Sequence, residues 1–322
     1  MEPKGIPSLG GNGLSQLSVS LQVLMNISDI PNLLNRHIEE CTRAECLLCS
    51  FGKLLKSLVS DDKETLMALL KELYEECCGD AVNDVFDFFA LLLSKLQDAQ
   101  RTVSGTGKES KVEELFGGSQ TVTGTCLNCE FSETHLEPFH VLEIPLEKEV
   151  ETVQEALESY LIGTVEKSRC PECHQNEAVY CAELSETPPV LCLHFLRPTE
   201  LNEGNEQRVV TISDKLSVSN VNYQLSSVVH SESNRQPTHY TCVLKCKTGS
   251  LVQCNDARVK NGSFHIRFTR ILATIDDFDQ IWHEGSPRGQ EHAHKFLGRY
   301  LKCYSDVKCD EESESALRFG LA

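Results

Sequence analysis

An α+β fold is what this sequence predicts, on three observations. Apolar residues recur at helical spacing through most of the first hundred positions, and from residue 115 the pattern changes to short strands. Two Cys-x-x-Cys pairs sit among those strands. With 322 residues and 40% hydrophobic content, the chain has enough apolar material for a substantial core. Its longest apolar runs are far too short to span a bilayer, and the opening Met-Glu-Pro-Lys-Gly-Ile-Pro-Ser lacks the charged-then-apolar layout of a signal peptide. The expectation is a soluble protein of the cytoplasm or nucleus. Sixteen cysteines then read as reduced thiols, some of them metal ligands. The balance of 30 Lys+Arg against 48 Asp+Glu gives a net charge of -18, which repels phosphate backbones and anionic membranes. No nucleic acid and no membrane are expected as partners, and a basic partner fits better.

Residues 1–12, rich in Gly and Pro, read as a flexible lead-in. Leu14, Leu17, Leu21, Leu24 and Met25 then mark an amphipathic helix ending between residues 26 and 29. His37, Cys41, Cys46 and Cys49 follow, four zinc-type ligands within thirteen residues. Two core helices are expected over residues 65–77 and 82–96, and the polar stretch 98–112 reads as an exposed connection. Strands are expected at 120–125, 139–146, 178–184, 190–196, 208–212, 223–230 and 263–272, with a helix over 153–161. Cys126 and Cys129, with Cys170 and Cys173, form two knuckles that each aim two thiolates at one metal. Because forty residues separate the pairs, pairing of the flanking strands must bring them together. A nucleic-acid zinc ribbon is the competing reading, and the net negative charge argues against it. Residues 276–322 read as an acidic tail.

Residues 239–245 and 251–256 read as a hairpin folded about residue 247, which puts His239 opposite Asn255. Opposed residues on antiparallel strands hold their Cβ atoms about 4.5–5.5 Å apart. An Asn carbonyl at that distance can orient an imidazole through its Nδ1–H, the orienting half of a nucleophile-base-orienter triad.

The ordered segments over roughly residues 13–260 resemble the ubiquitin-specific protease family. Asn83-Asp84-Val-Phe-Asp-Phe88-Phe is similar to the family's Gln-Asp-Ala-His-Glu-Phe-Leu thumb helix, and residues 115–146 resemble its finger entry. Pro188-Pro-Val-Leu-Cys-Leu-His194 resembles its Leu-Pro-x-Val-Leu-x-Leu-His, and His239-Tyr-Thr its Gly-His-Tyr-Thr, with Thr238 in place of the glycine. The resemblance implies a papain-like fold with a helical thumb (13–114) and with zinc-bearing β fingers and a β palm (115–275). It implies structural zinc and, as partner, ubiquitin or a ubiquitin-like modifier with its conjugates. His239 would be the general base, Asn255 its orienter and Asp256 an adjacent polar support. The activity implied is deubiquitination, the hydrolysis of an isopeptide bond; the alternative is an inactive relative that only binds the modifier. The family's last palm strand has no clear counterpart, which leaves closure of the palm sheet open.

The family nucleophile is a cysteine at the start of the first thumb helix, whereas here no cysteine precedes Cys41. Counting back seven residues from Gln22 places Ser15 at that position and Gly10 at the oxyanion asparagine. Aligning Gly13-Leu-Ser-Gln-Leu17 with the family's lead-in instead deletes the nucleophile segment altogether.

Overall fold

The computed structural model describes residues 3–7, 14–43, 46–60, 62–77, 84–104, 110–146, 150–196, 210–232, 239–262 and 271–277. The helical part comes first: α1 (Leu14–Asn26), α2 (Asp29–Glu40), α3 (Leu47–Ser60), α4 (Lys63–Cys77), α5 (Val85–Ser104) and the short α6 (Lys111–Phe116). Helix α1 is not amphipathic as expected. Leu17, Val19, Leu21, Val23 and Leu24 are all at most 1% exposed, and Ser15, Gln16, Ser18, Ser20 and Gln22 are buried with them. A helix covered all round is a core helix, and here it is wedged between the other helices and the palm.

Helices α2 and α3 were not expected. The tightly spaced metal-type ligands dominate the sequence there, yet Ile30, Leu34, Leu48, Phe51, Leu54 and Leu58 form an apolar stripe on either side of them. The polar stretch after residue 98 is partly helix, since α5 runs to Ser104. Asp84 caps α5 by accepting the backbone N–H of Phe86 at 2.9 Å. The lead-in also departs from expectation: Ile6 is 1% exposed, because residues 3–7 lie against α1 and α3 and carry an anchor side chain.

Strands β1 (Gly118–Cys126), β2 (Ser132–Phe139) and β3 (Leu142–Pro145) follow, then α7 (Val153–Ile162), β4 (Thr164–Glu166), β5 (Ala178–Glu186) and β6 (Val190–Leu196). The remainder is β7 (Lys215–Val218), β8 (Val221–Glu232), β9 (His239–Lys245), β10 (Leu251–Asn255), β11 (Arg258–Asn261) and β12 (Ile271–Asp277). The fingers are one antiparallel sheet in the order β2-β1-β5-β4. The palm is a second sheet, β11-β10-β9-β8-β12-β6-β3, with β7 on β8.

Strand β12 lies between β8 and β6, so the palm sheet is closed across its middle. Of the strand expected over 263–272, the last two residues lie in β12, which continues to Asp277, and 263–270 lie outside the described residues. The strand expected at 208–212 reduces, among the described residues, to one bridge between Thr211 and Thr152. Residues 278–322, most of the expected tail, are outside the described residues.

The palm is buried on both faces, which is why β6 reads as an unbroken apolar run. Val190 and Cys192 face the thumb helices; Leu191, Leu193 and Phe195 face α7. Each fully buried leucine or phenylalanine contributes about 1.5–3 kcal/mol, so one cluster fixes the thumb to the palm and the other fixes α7 to it without covalent help. α7 starts on a capping box, with Thr152 accepting from the Glu155 N–H and the Glu155 side chain accepting from that of Thr152.

Candidate active site

His239 opens β9 and Asn255 closes β10. The register differs from the expected one: Lys245 pairs with Leu251 and Cys242 with Cys254, so the hairpin folds about residue 248. One step further Asn255 falls across from Thr241, and His239 is its diagonal neighbour, a separation that an imidazole spans. The two side chains meet, with His239 Nε2 3.0 Å from Asn255 Oδ1. Because the amide oxygen accepts, Nε2 is the nitrogen that donates to Asn255, the reverse of the one expected.

Asp256 follows at φ 50, in the left-handed region. Its Oδ2 is 3.9 Å from His239 Nε2, and its Oδ1 is buried with no hydrogen-bond partner among the described residues. Burial pushes its carboxyl pKa up, and the nearby His239 opposes that shift.

Ser15 lies in the first turn of α1, directly beneath this hairpin. Beyond the last β9–β10 pair, the backbone N–H of Tyr240 donates to Ser15 Oγ at 3.2 Å, so α1 takes over where β10 stops. Residues 14–17 belong to α1, which is where both alignments meet the structure. Among the described residues Ser15 and His239 share no hydrogen bond, and Gly10 lies outside them.

Several residues that position the site were not singled out in the sequence. Gln22 donates to the Asp256 carbonyl at 3.4 Å and accepts from the Cys242 thiol at 3.1 Å. Asn26 ties the end of α1 to the palm through the carbonyls of Ser226 and Lys245. His194 is stacked on Phe86, with ring centroids 4.0 Å apart, which joins β6 to the start of α5. Burial lowers the His194 pKa against the opposing pull of Glu143 and Asp87. Long polar side chains on a helix whose apolar residues cover every face, as Gln22 and Asn26 are in α1, were the signal available for the first two.

Both metal-type clusters assemble. The ligand atoms of Cys126, Cys129, Cys170 and Cys173 lie within 4.8 Å of one another, and so do those of His37, Cys41, Cys46 and Cys49. The two finger knuckles repeat one geometry: Cys126 N–H donates to Phe131 and Cys170 N–H to Gln175, both at 2.8 Å. Glu130 and His174 take left-handed backbone at the matching place. Pairing of β1 with β5 brings the knuckles together, as the sequence required.

A tetrahedral zinc with Zn–S of about 2.3 Å sets its sulfurs about 3.8 Å apart. The separations are 3.6 Å for Cys126–Cys173 and 3.5 Å for Cys129–Cys170, so the donor set fits that ion. The Gln175 backbone N–H draws the Cys173 thiol down to about 6, favouring the thiolate that a metal needs. In the thumb, His37 Nε2 is 3.1 Å from Cys46 Sγ, and the Arg43 backbone N–H lowers the Cys41 pKa. Zinc bound at either site supplies folding free energy rather than chemistry on a substrate.

The family model described as ubiquitin carboxyl-terminal hydrolase matches residues 14–275. The chain belongs to that family. Ubiquitin carboxyl-terminal hydrolase 36 of Drosophila grimshawi is 23% identical over 281 residues, which cover 76% of this chain and 23% of that protein. Ubiquitin carboxyl-terminal hydrolase 9 of Saccharomyces cerevisiae is 29% identical over 153 residues, 42% of this chain and 20% of that one. The chain thus spans about a quarter or less of the length of these relatives.

Among solved structures, a SAGA Ubp8/Sgf11/Sus1/Sgf73 DUB module bound to ubiquitin aldehyde matches with a TM-score of 0.69 at 19% identity. That match covers 86% of this chain and 70% of the other. A second Ubp8-Sgf11-Sgf73-Sus1 module matches at 0.67 and 19%, covering 84% and 67%. The α+β ubiquitin-specific-protease fold with thumb, zinc-type fingers and palm is therefore the fold of this family member.

Proposed function

We propose that this domain recognises ubiquitin or a ubiquitin-like modifier, free or conjugated, and does not hydrolyse it. Family membership supports the ubiquitin pathway as its setting, and a related Ubp8 module is known bound to ubiquitin aldehyde. Nucleic acid and membranes are not proposed as partners, given the net charge of -18. No helix among the described residues is long and apolar enough to cross a membrane.

The observation that supports the loss of hydrolysis is that no cysteine precedes Cys41, while the first turn of α1 carries the hydroxyl of Ser15. Deubiquitination in this family needs a thiolate that attacks the isopeptide carbonyl, an imidazolium that protonates the departing lysine amine, and water that releases the acyl-enzyme. A thiol serves because helix N-termini and imidazoles lower its pKa to about 3.5–7.5. Ser15 offers a hydroxyl that stays protonated until the moment of attack, and it is engaged by Tyr240 rather than by the base.

A second reading, deubiquitination with Ser15 as nucleophile, is favoured by one feature: His239 and Asn255 are assembled, with the Asn255 amide oxygen on His239 Nε2 and so away from Nδ1. Titration with labelled ubiquitin and related modifiers, beside a fluorogenic ubiquitin amide, decides between the two. Saturable binding with no turnover is the expected result. Turnover abolished by His239→Ala would overturn it in favour of the enzyme, and no binding to any modifier would leave only a zinc scaffold.

A further inference from the structure

We infer that Gly5 and Gln22 are positioning residues that hold the Asn255 turn and, through it, the orientation of the His239 ring. The inference goes beyond the modifier-binding reading and holds whether or not the domain turns over substrate.

Asn255 and Arg258 close a hairpin whose two turn residues are Asp256 and Ala257. Asp256 occupies the left-handed position at φ 50, where glycine is the comfortable choice. Its Oδ1 makes no hydrogen bond to steady the turn from within. The turn that presents the orienting amide is therefore strained, and its support comes from outside.

Two residues far away in sequence supply that support. Gln22 donates from Nε2 to the Asp256 carbonyl, and its own Oε1 is fixed by the Cys242 thiol. Gly5 lies flat on Ala257: a Cβ there would sit 2.3 Å from the Ala257 carbonyl oxygen and 2.7 Å from its Cα. Only a residue without a side chain lets the strap approach the turn this closely.

The strap is itself anchored on rigid elements. Ile6 is 1% exposed in the core, Ser18 Oγ donates to the Ile6 carbonyl at 3.1 Å, and Lys4 Nζ caps the end of α3 at the carbonyls of Leu58 (3.0 Å) and Val59 (3.1 Å). Pressure applied at Gly5 is thus passed to the backbone two residues from Asn255 rather than absorbed by the strap.

The test is long-range 15N–1H NMR of the His239 ring in the full chain, comparing the parent with Gly5→Ala and Lys4→Ala. In the parent the ring is the Nε2–H tautomer, held by Asn255. Gly5→Ala is expected to convert at least a third of the ring to the other tautomer, at unchanged zinc content and circular dichroism. Lys4→Ala, half-exposed and harmless to folding, loosens the strap and is expected to give a smaller shift of the same sign. A folded Gly5→Ala with parental ring shifts and only a lower melting temperature would show a merely structural glycine and overturn the inference. Should Gly5→Ala fail to fold, Lys4→Ala decides alone, and parental ring shifts there overturn it equally.

Discussion

The β9–β10 hairpin and the first turn of α1 hold the two halves of the proposed site, and they differ in what holds them. On the hairpin, His239 and Asn255 are in hydrogen-bond contact at 3.0 Å. On α1, the side chain of Ser15 has a backbone amide for its partner. His239 and Asn255 sit on strands whose neighbouring residues, Tyr240, Cys242 and Cys254, are core side chains, so packing preserves their geometry whether or not a reaction uses it. A nucleophile would have no such protection. Under the proposed reading, a hydroxyl standing for a thiol of similar size at a helix start would leave the core intact, and the Ser15 oxygen has a structural task as acceptor for Tyr240.

The experiment with the largest expected effect restores the missing half. Ser15→Cys places a thiol at the helix N-terminus, below a hairpin whose imidazole is held by Asn255 through Nε2. We expect turnover of a fluorogenic ubiquitin amide to rise from background by at least about a hundredfold, the scale set by general-base assistance. A silent Ser15→Cys protein that still binds modifier would mean that the two halves no longer face each other.

Next in size is loss of finger metal. Replacement of Cys170 by Ser leaves three ligands, and bound zinc should fall by about one equivalent per chain by elemental analysis. Structural zinc is worth on the order of 10–16 kcal/mol in small metal-dependent folds, so the finger sheet should become protease-sensitive while α1 to α5 stay protected. Unchanged zinc content would show that this cluster holds no ion. The thumb cluster makes the contrast, since α2 and α3 pack an apolar stripe of their own and need the metal less.

These differences bear on what was legible in the sequence. The knuckles, β6 and the β9–β10 hairpin were readable because each is a local pattern: ligand spacing, an apolar run, alternation about a turn. The observed hairpin register differs from the expected one by two residues, because the chain folds about residue 248 and not 247; the Cys246 N–H to Ser250 carbonyl bond and Gly249 at φ 83 set that turn. What could not be read locally was everything that acts over two hundred residues of separation, such as Gln22 on Asp256, Asn26 on Ser226 and residues 3–7 on Ala257. Strand β12 was hidden for a related reason. Its pattern says strand, but only its place between β8 and β6 says that it closes the palm.

A smaller effect separates the structural from the catalytic account of Ser15. Ser15→Ala leaves the buried Tyr240 N–H without an acceptor, which costs about 1–3 kcal/mol. In a chain of this size that lowers the melting temperature by several degrees. A serine kept only as a nucleophile would be lost with little change in melting.

The smallest expected effect tests the hairpin itself. The Asp256 carboxyl is buried and half-engaged by His239, so its folded pKa stands above the unfolded value of about 3.9. A raised acid pKa means that the folded state holds the proton more tightly. Its contribution to stability is full below the unfolded pKa and is lost as pH rises through the folded one. Asp256→Asn removes that loss, and asparagine also tolerates the left-handed backbone at φ 50. The variant should therefore melt slightly above the parent at pH 7, with the gap narrowing toward pH 4. Zinc leaves both proteins alike as their thiolates protonate, so the difference between the two curves is the quantity to follow. A gap that is constant with pH would place the Asp256 carboxylate in water rather than buried beside His239.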